Sequence, residues 1–151
     1  MRDSVRAAFV DFTTRFEGEV PWMYLDVLGL VTIGIGNLID PIQTAMNLPF
    51  IRPDGSPADR AEIAAEWLRI KNYPNAARLG HRAVEHVAKL RLLVDGVAAL
   101  VHGKLHQHDV YLRGRFPDFD EWPADAQLAT HSMAWACGPA FAFPLLATAL
   151  R

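Results

Sequence analysis

The chain has 151 residues, enough for one domain or two small lobes around a real core. It is 51% apolar and 21% charged, with a net charge of −2, which excludes a disordered chain and a strongly basic nucleic-acid-binding face. Its one cysteine, Cys137, excludes an internal disulfide framework and a thiolate metal cluster.

No stretch has the length and unbroken apolarity of a membrane span. The longest apolar region, from Leu128 to Leu150, is interrupted by His131, by Gly138-Pro139 and by Pro144. Arg2, Asp3, Arg6 and Asp11 occupy the segment where a signal peptide needs an apolar run. The expectation is a protein made in the cytoplasm without a signal peptide, not inserted in a membrane.

Residues 4–17 predict an amphipathic helix with Val5, Phe9, Phe12 and Phe16 on one face. Asp3 or Ser4 is the expected cap, and Gly18 the stop. Residues 22–36 predict a β-hairpin. Tyr24, Val27, Val31, Thr32, Ile33 and Ile35 favour strands, and Gly29 supplies the turn. A short helix is expected from Pro41 to Asn47, capped by Asp40. Pro49, Pro53, Pro57 and Asp54-Gly55 then mark a surface loop. A helix follows from about Ser56 and ends at Tyr73-Pro74.

Residues 75–90 show no clear period, and 89–93 suggest a brief extended segment. Asp95 is the expected cap of a long helix carrying Val97, Leu100, Val101, Leu105, Tyr111 and Leu112. Residues 117–123 form an aromatic loop. Residues 124–137 make the most apolar helix, stopped by Gly138-Pro139, and Phe143 to Leu150 begin another helical run.

The chemistry concentrates in Phe16-Glu17-Gly18, Tyr24-Leu25-Asp26, Gly29 and Thr32-Ile33-Gly34-Ile35-Gly36. A carboxyl group at a helix C-terminus, beside Phe16, meets two influences that disfavour its ionisation. A carboxyl kept protonated is what a general acid needs. Asp26 lies in a more polar turn with the Thr32 hydroxyl near in sequence, a setting that suits an ionised group. Two carboxyl groups in contrasting settings are the working parts of glycoside hydrolysis.

This spacing of Glu-Gly, Tyr, Asp and Thr-Ile-Gly-Ile-Gly resembles the phage-type lysozymes, or endolysins. Met133, Trp135, Gly138 and the run from Phe143 to Arg151 resemble that family's buried central helix and the start of the next one. The likeness is weak between residues 50 and 120. It implies an α+β, lysozyme-like fold: a mainly helical body (residues 61–151 plus helix 4–17) and a small β-hairpin lobe (about 18–60) flanking an active-site cleft.

The implied activity is that of a muramidase cutting the β-1,4 bond between N-acetylmuramic acid and N-acetylglucosamine, without metal or organic cofactor. The implied roles are general acid for Glu17, water activation or positioning for Asp26, and water holding for Thr32. Leu38 and Trp135 fall where family members contact saccharide. The implied partner is the peptidoglycan glycan strand, and the implied place of work is the cell wall or periplasm. Inversion is also implied, with carboxyl groups about 6.5–9.5 Å apart.

Two departures stand out. Asn37 occupies the position where many members carry His, so an imidazole salt bridge is absent there. Helices that complete the family's larger lobe are missing after Arg151. The expectation is therefore a C-terminally incomplete domain with an apolar surface around residues 124–137, Phe143, Leu145, Leu146 and Leu150, prone to self-association. The alternatives are a truncated, inactive peptidoglycan-binding module and a lytic transglycosylase, which also uses a Glu and does not need Asp26.

Each feature also has a plainer structural account. Asp26 suits an Asx-type turn and Thr32 an ordinary strand. His102, His106, His108 and Asp109 suggest metal ligands at helical spacing, but the expected reading is a solvated helix face. Cys137 reads as a small buried hydrophobe. Trp22, Trp67, Trp122 and Trp135 can stack sugars, though tryptophan more often fills a core.

Overall fold

The computed structural model describes residues 1–142. The helical run expected from Phe143 to Leu150, and its share of the apolar surface, lies outside the described residues. The architecture is mixed α and β, with helices predominating and small antiparallel sheets. Among the described residues no helix is long and apolar enough to cross a membrane.

The chain divides into two compact units. One comprises Met1–Phe16 with the chain from Val101 onward; the other is Glu17–Leu100. The second takes in the small sheet and the helix that follows it, which are bonded to one another.

Within Glu17–Leu100, β1 (Val20–Leu25), β2 (Val31–Gly34) and β3 (Asn37–Leu38) form one antiparallel sheet in that order. The expected hairpin thus gains a third strand. Tyr24 lies opposite Thr32, and Thr32 opposite Leu38. Gly34 has φ +63°, and a Cβ there would sit 2.9 Å from Val97 Cγ1. Only glycine permits both that backbone and that approach.

Helix α2 (Ile42–Ala45) follows Pro41 and has no side-chain cap. Asp40 bonds elsewhere, to Val31 N and Lys71 Nζ. The 49–57 segment is more than a surface loop. Its β4 (Phe50–Ile51) pairs with β5 (Arg91–Leu92), and Phe50 is buried.

Helix α3 (Arg60–Lys71) opens with a capping box made by Asp59 and Glu62. Each side chain accepts from the other residue's backbone N–H, so two orphan donors are satisfied. Trp67 Nε1 donates to the Ile39 carbonyl at 3.0 Å. Buried Glu66 accepts from Lys89 N at 3.0 Å and Leu90 N at 2.8 Å, and pairs with Arg69. These bonds join α3 to the sheet on one side and to the approach of β5 on the other. Helix α4 (Ala76–Leu79) and a 3-10 turn (His81–Val84) occupy the segment without a clear sequence period.

The other unit is helical. Helix α1 spans Asp3–Glu17, α5 spans Val94–Arg115 and α6 spans Ala124–Cys137. The division between units falls within α5. Helix α1 starts one residue earlier than the expected caps allow: the Arg2 carbonyl accepts from Val5 N and Arg6 N. Its buried stripe is Val5, Phe9 and Thr13. Phe12 is only half-buried and Phe16 is 71% exposed, near the end of the helix where Phe9's partners no longer reach.

Phe9 packs against Trp135 and His131, and Leu112, Phe116, Phe119, Ala134 and Phe141 form a second cluster. Burying such side chains contributes roughly 1.5–3 kcal/mol each. Helix α5 does not present a solvated histidine face throughout, because His108 and Asp109 are buried. Cys137 is exposed, not buried, because it closes α6 where the helix meets Gly138.

Candidate active site

Glu17 is the last residue of α1 and is exposed. Gly18, at φ +72°, breaks the helix in the left-handed conformation that glycine adopts without strain. The chain then turns directly into β1. The apolar shield expected from Phe16 does not form, since that ring is largely in solvent. The helix terminus itself remains beside the carboxyl group.

Asp26 sits at the hairpin turn. Its Oδ1 accepts from Leu28 N and Leu30 N, both at 2.9 Å. Asp26 N donates to the Leu30 carbonyl at 3.0 Å, and Gly29 N donates to the Asp26 carbonyl at 3.0 Å. The Asx-type role weighed from the sequence is therefore present. It engages Oδ1; among the described residues no hydrogen bond reaches Oδ2, which is left for another partner.

Thr32 is buried on β2, and its hydroxyl donates to the Leu30 carbonyl at 3.2 Å. Cross-strand partners in register share a face of the sheet, so Tyr24, Thr32 and Leu38 form one row across it. Leu38, 49% exposed, is the accessible end of that row.

Tyr24 links the row to the carboxyl groups. Burial first, then the charge of Asp26, then that of Glu17, push its phenol above the ordinary tyrosine range. One hydroxyl thus feels both carboxyl groups. The sequence reading included this tyrosine in the motif but gave it no role.

A second feature escaped the sequence. Lys71 Nζ, at the end of α3, donates to the Gly29 carbonyl at 2.8 Å and to Asp40 Oδ2 at 2.6 Å. Asp40 Oδ2 also accepts from Val31 N at 3.2 Å. The Lys71 ammonium holds the Asp40 carboxyl below the usual carboxylate range. This ion pair fastens the turn that carries Asp26. No local pattern announces it, because its partners are distant in sequence.

Trp135, expected to contact saccharide, belongs to the other unit. It is only 6% exposed. Its ring meets Phe9 at 5.4 Å and His108 at 6.0 Å, with Lys104 Nζ 4.1 Å from the ring centre. Its surroundings are those of a core residue. Among the described residues no group of three or more His, Cys, Asp or Glu side chains is placed to hold a metal ion. His108 packs against the Trp135 ring, and Asp109 pairs with the Met1 ammonium and Arg113.

Comparison with protein families, with curated proteins and with solved structures found no match. The functional reading therefore rests on the residues and their placement.

Proposed function

We propose that this chain is a lysozyme-like glycoside hydrolase, a muramidase acting on the β-1,4 bond between N-acetylmuramic acid and N-acetylglucosamine of peptidoglycan. The observation that carries this reading is the placement of Glu17 at the end of α1 and Asp26 in the bonded hairpin turn, with Thr32 opposite Tyr24 on the strands between them. Two carboxyl groups, one at a helix end and one in a bonded turn, supply the acid and the base that glycoside hydrolysis requires.

Glu17 gives its proton to the glycosidic oxygen as the C–O bond breaks. A water molecule attacks the sugar carbon from the opposite face and gives its proton to Asp26 Oδ2. The Thr32 hydroxyl orients that water. Solvent exchange restores both carboxyl groups, and no cofactor enters. Leu38 offers an apolar contact for the sugar. A bound glycan also brings to Glu17 the desolvation that Phe16 does not provide.

The bonds on Asp26 favour one second reading. A carboxylate already committed to its turn suits a lytic transglycosylase, in which Glu17 works alone. Products separate the two: reducing ends from hydrolysis, 1,6-anhydro sugars from transglycosylation.

The decisive variant is Glu17→Gln, which keeps size and removes the transferable proton. Release of product from purified peptidoglycan should fall by roughly 10²–10⁴-fold. An unchanged rate overturns the proposal.

A further inference from the structure

Four half-buried side chains outside the Glu17, Asp26 and Thr32 set gather beside β1: Trp22, Tyr24, His81 and Arg91. All four belong to the Glu17–Leu100 unit. The Trp22 and Tyr24 rings both meet the His81 imidazole, with centroids 6.2 and 5.9 Å away. Trp22 Nε1 donates to the His81 carbonyl at 3.1 Å, which fixes the indole.

Arg91 lies over that indole, 5.1 Å from its centre. The guanidinium is anchored through Nη1, which donates to the carbonyls of Ala88 at 2.6 Å and Leu90 at 3.0 Å. Among the described residues no carboxylate pairs with it. An arginine held at one nitrogen still has N–H groups in a planar fork suited to a carboxylate.

These features select one chemistry. A sugar ring has an apolar C–H face that packs on aromatic rings. A carboxyl substituent on it answers an unpaired, pre-oriented guanidinium. Tyr24 belongs to this cluster, lies two residues before Asp26 and stands opposite Thr32 on β2, so the cluster continues the candidate active site.

We propose that Trp22, Tyr24, His81 and Arg91 form a subsite for a carboxylate-bearing saccharide unit of the strand that enters between Glu17 and Asp26. The proposal rests on the glycoside-hydrolase reading and extends it to substrate selection: Arg91 reads the acid and Trp22 supports the ring.

The test is calorimetric titration of the full chain carrying Glu17→Gln, which prevents turnover. One probe is a neutral oligomer of N-acetylglucosamine. The other is an oligomer of the same length alternating N-acetylglucosamine with N-acetylmuramic acid. Arg91→Gln should weaken the acidic probe about tenfold, the scale of a lost charge-assisted bond, and the neutral probe by less than about twofold. Trp22→Phe should weaken both several-fold.

Should Arg91→Gln fail to fold, Arg91→Lys keeps the charge, loses the fork, and should still lose part of the preference for the acidic probe. The subsite is overturned if a folded variant binds both probes as the parent does, or if the parent binds neither. Product release by the unsubstituted chain, and its loss in Glu17→Gln, judges the hydrolase reading separately.

Discussion

At the tip of the β1–β2 hairpin, half-buried carboxyl groups are answered by backbone and lysine donors. Asp26 Oδ1 takes two backbone donors, and Asp40 takes Lys71 and Val31 N. Among the helices of the other unit buried Asp109 is likewise paired, with the Met1 ammonium and Arg113, but two buried imidazoles keep ring nitrogens without a hydrogen bond. His131 is fully buried, and neither of its ring nitrogens makes a hydrogen bond; its nearest charged neighbour is Asp109 Oδ1 at 3.4 Å. His108 is buried with Nδ1 unbonded, against the Trp135 ring. Burial pushes both imidazoles down to about 4. The hairpin holds ionised groups by pairing them, whereas the helical unit keeps its imidazoles neutral by excluding water.

The two regions should therefore yield to acid at different points. A buried histidine with a depressed pKa binds fewer protons folded than unfolded, so stability falls as pH drops from about 6.5 toward about 4. Each histidine contributes up to about 1.4 kcal/mol per pH unit in that window. For His131, Asp109 opposes the effect, while the Met1 ammonium and Arg113 reinforce it; for His108, Lys104 and His131 reinforce it. Asp40 also has a depressed pKa, but it is a carboxylate. Its contribution is present above the ordinary carboxylate value and is lost only below it. Urea unfolding at pH 7 and pH 4.5, followed by amide exchange in each unit, should show the helical unit losing several kcal/mol while the hairpin amides stay protected. Loss of hairpin protection first would reverse the comparison.

Lys71→Met attacks the other side. It removes the ammonium from Asp40 and from the Gly29 carbonyl, and should cost about 1–2 kcal/mol given the partial exposure of the pair. Amide exchange at Leu28 and Leu30 should quicken, because the turn loses its fastening. Lys71→Arg should recover part of the protection. Unchanged exchange at both amides would show that the turn holds itself.

The smallest effect is the most direct check on the carboxyl placement. Tyr24 should titrate closer to an ordinary tyrosine in Asp26→Asn, and shift by less in Glu17→Gln, following the order of their influence. Its ring resonances in a nuclear magnetic resonance titration distinguish it from Tyr73 and Tyr111. No shift in either variant would separate the carboxyl groups from the phenol.

Much of the fold was readable where local chemistry punctuates the chain. Gly18 ends α1, Gly29 turns the hairpin, and Gly138 stops α6, so those elements stand close to their expected positions. The pairing of Phe50 with Leu92 could not be read, because two short strands so far apart leave no periodic trace. His108 and Asp109 were misjudged for a related reason. Polar residues on a helix read as solvated unless their neighbours are known, and here Trp135 and the Met1 ammonium come from distant parts of the sequence. The candidate site was legible as a spacing. Its use of Tyr24 and its fastening by Lys71 belong to the tertiary structure.

Cys137 is the sequence's single cysteine and stands exposed at the end of α6. A thiol-reactive dye will therefore mark one atom on the helical unit with no prior engineering. Such a label can time the acid-induced opening of that unit while the hairpin reports through its own tyrosine. The same accessibility has a cost at the bench. Without a reducing agent, two molecules can join sulfur to sulfur, and a preparation left in air will accumulate covalent pairs that have nothing to do with affinity.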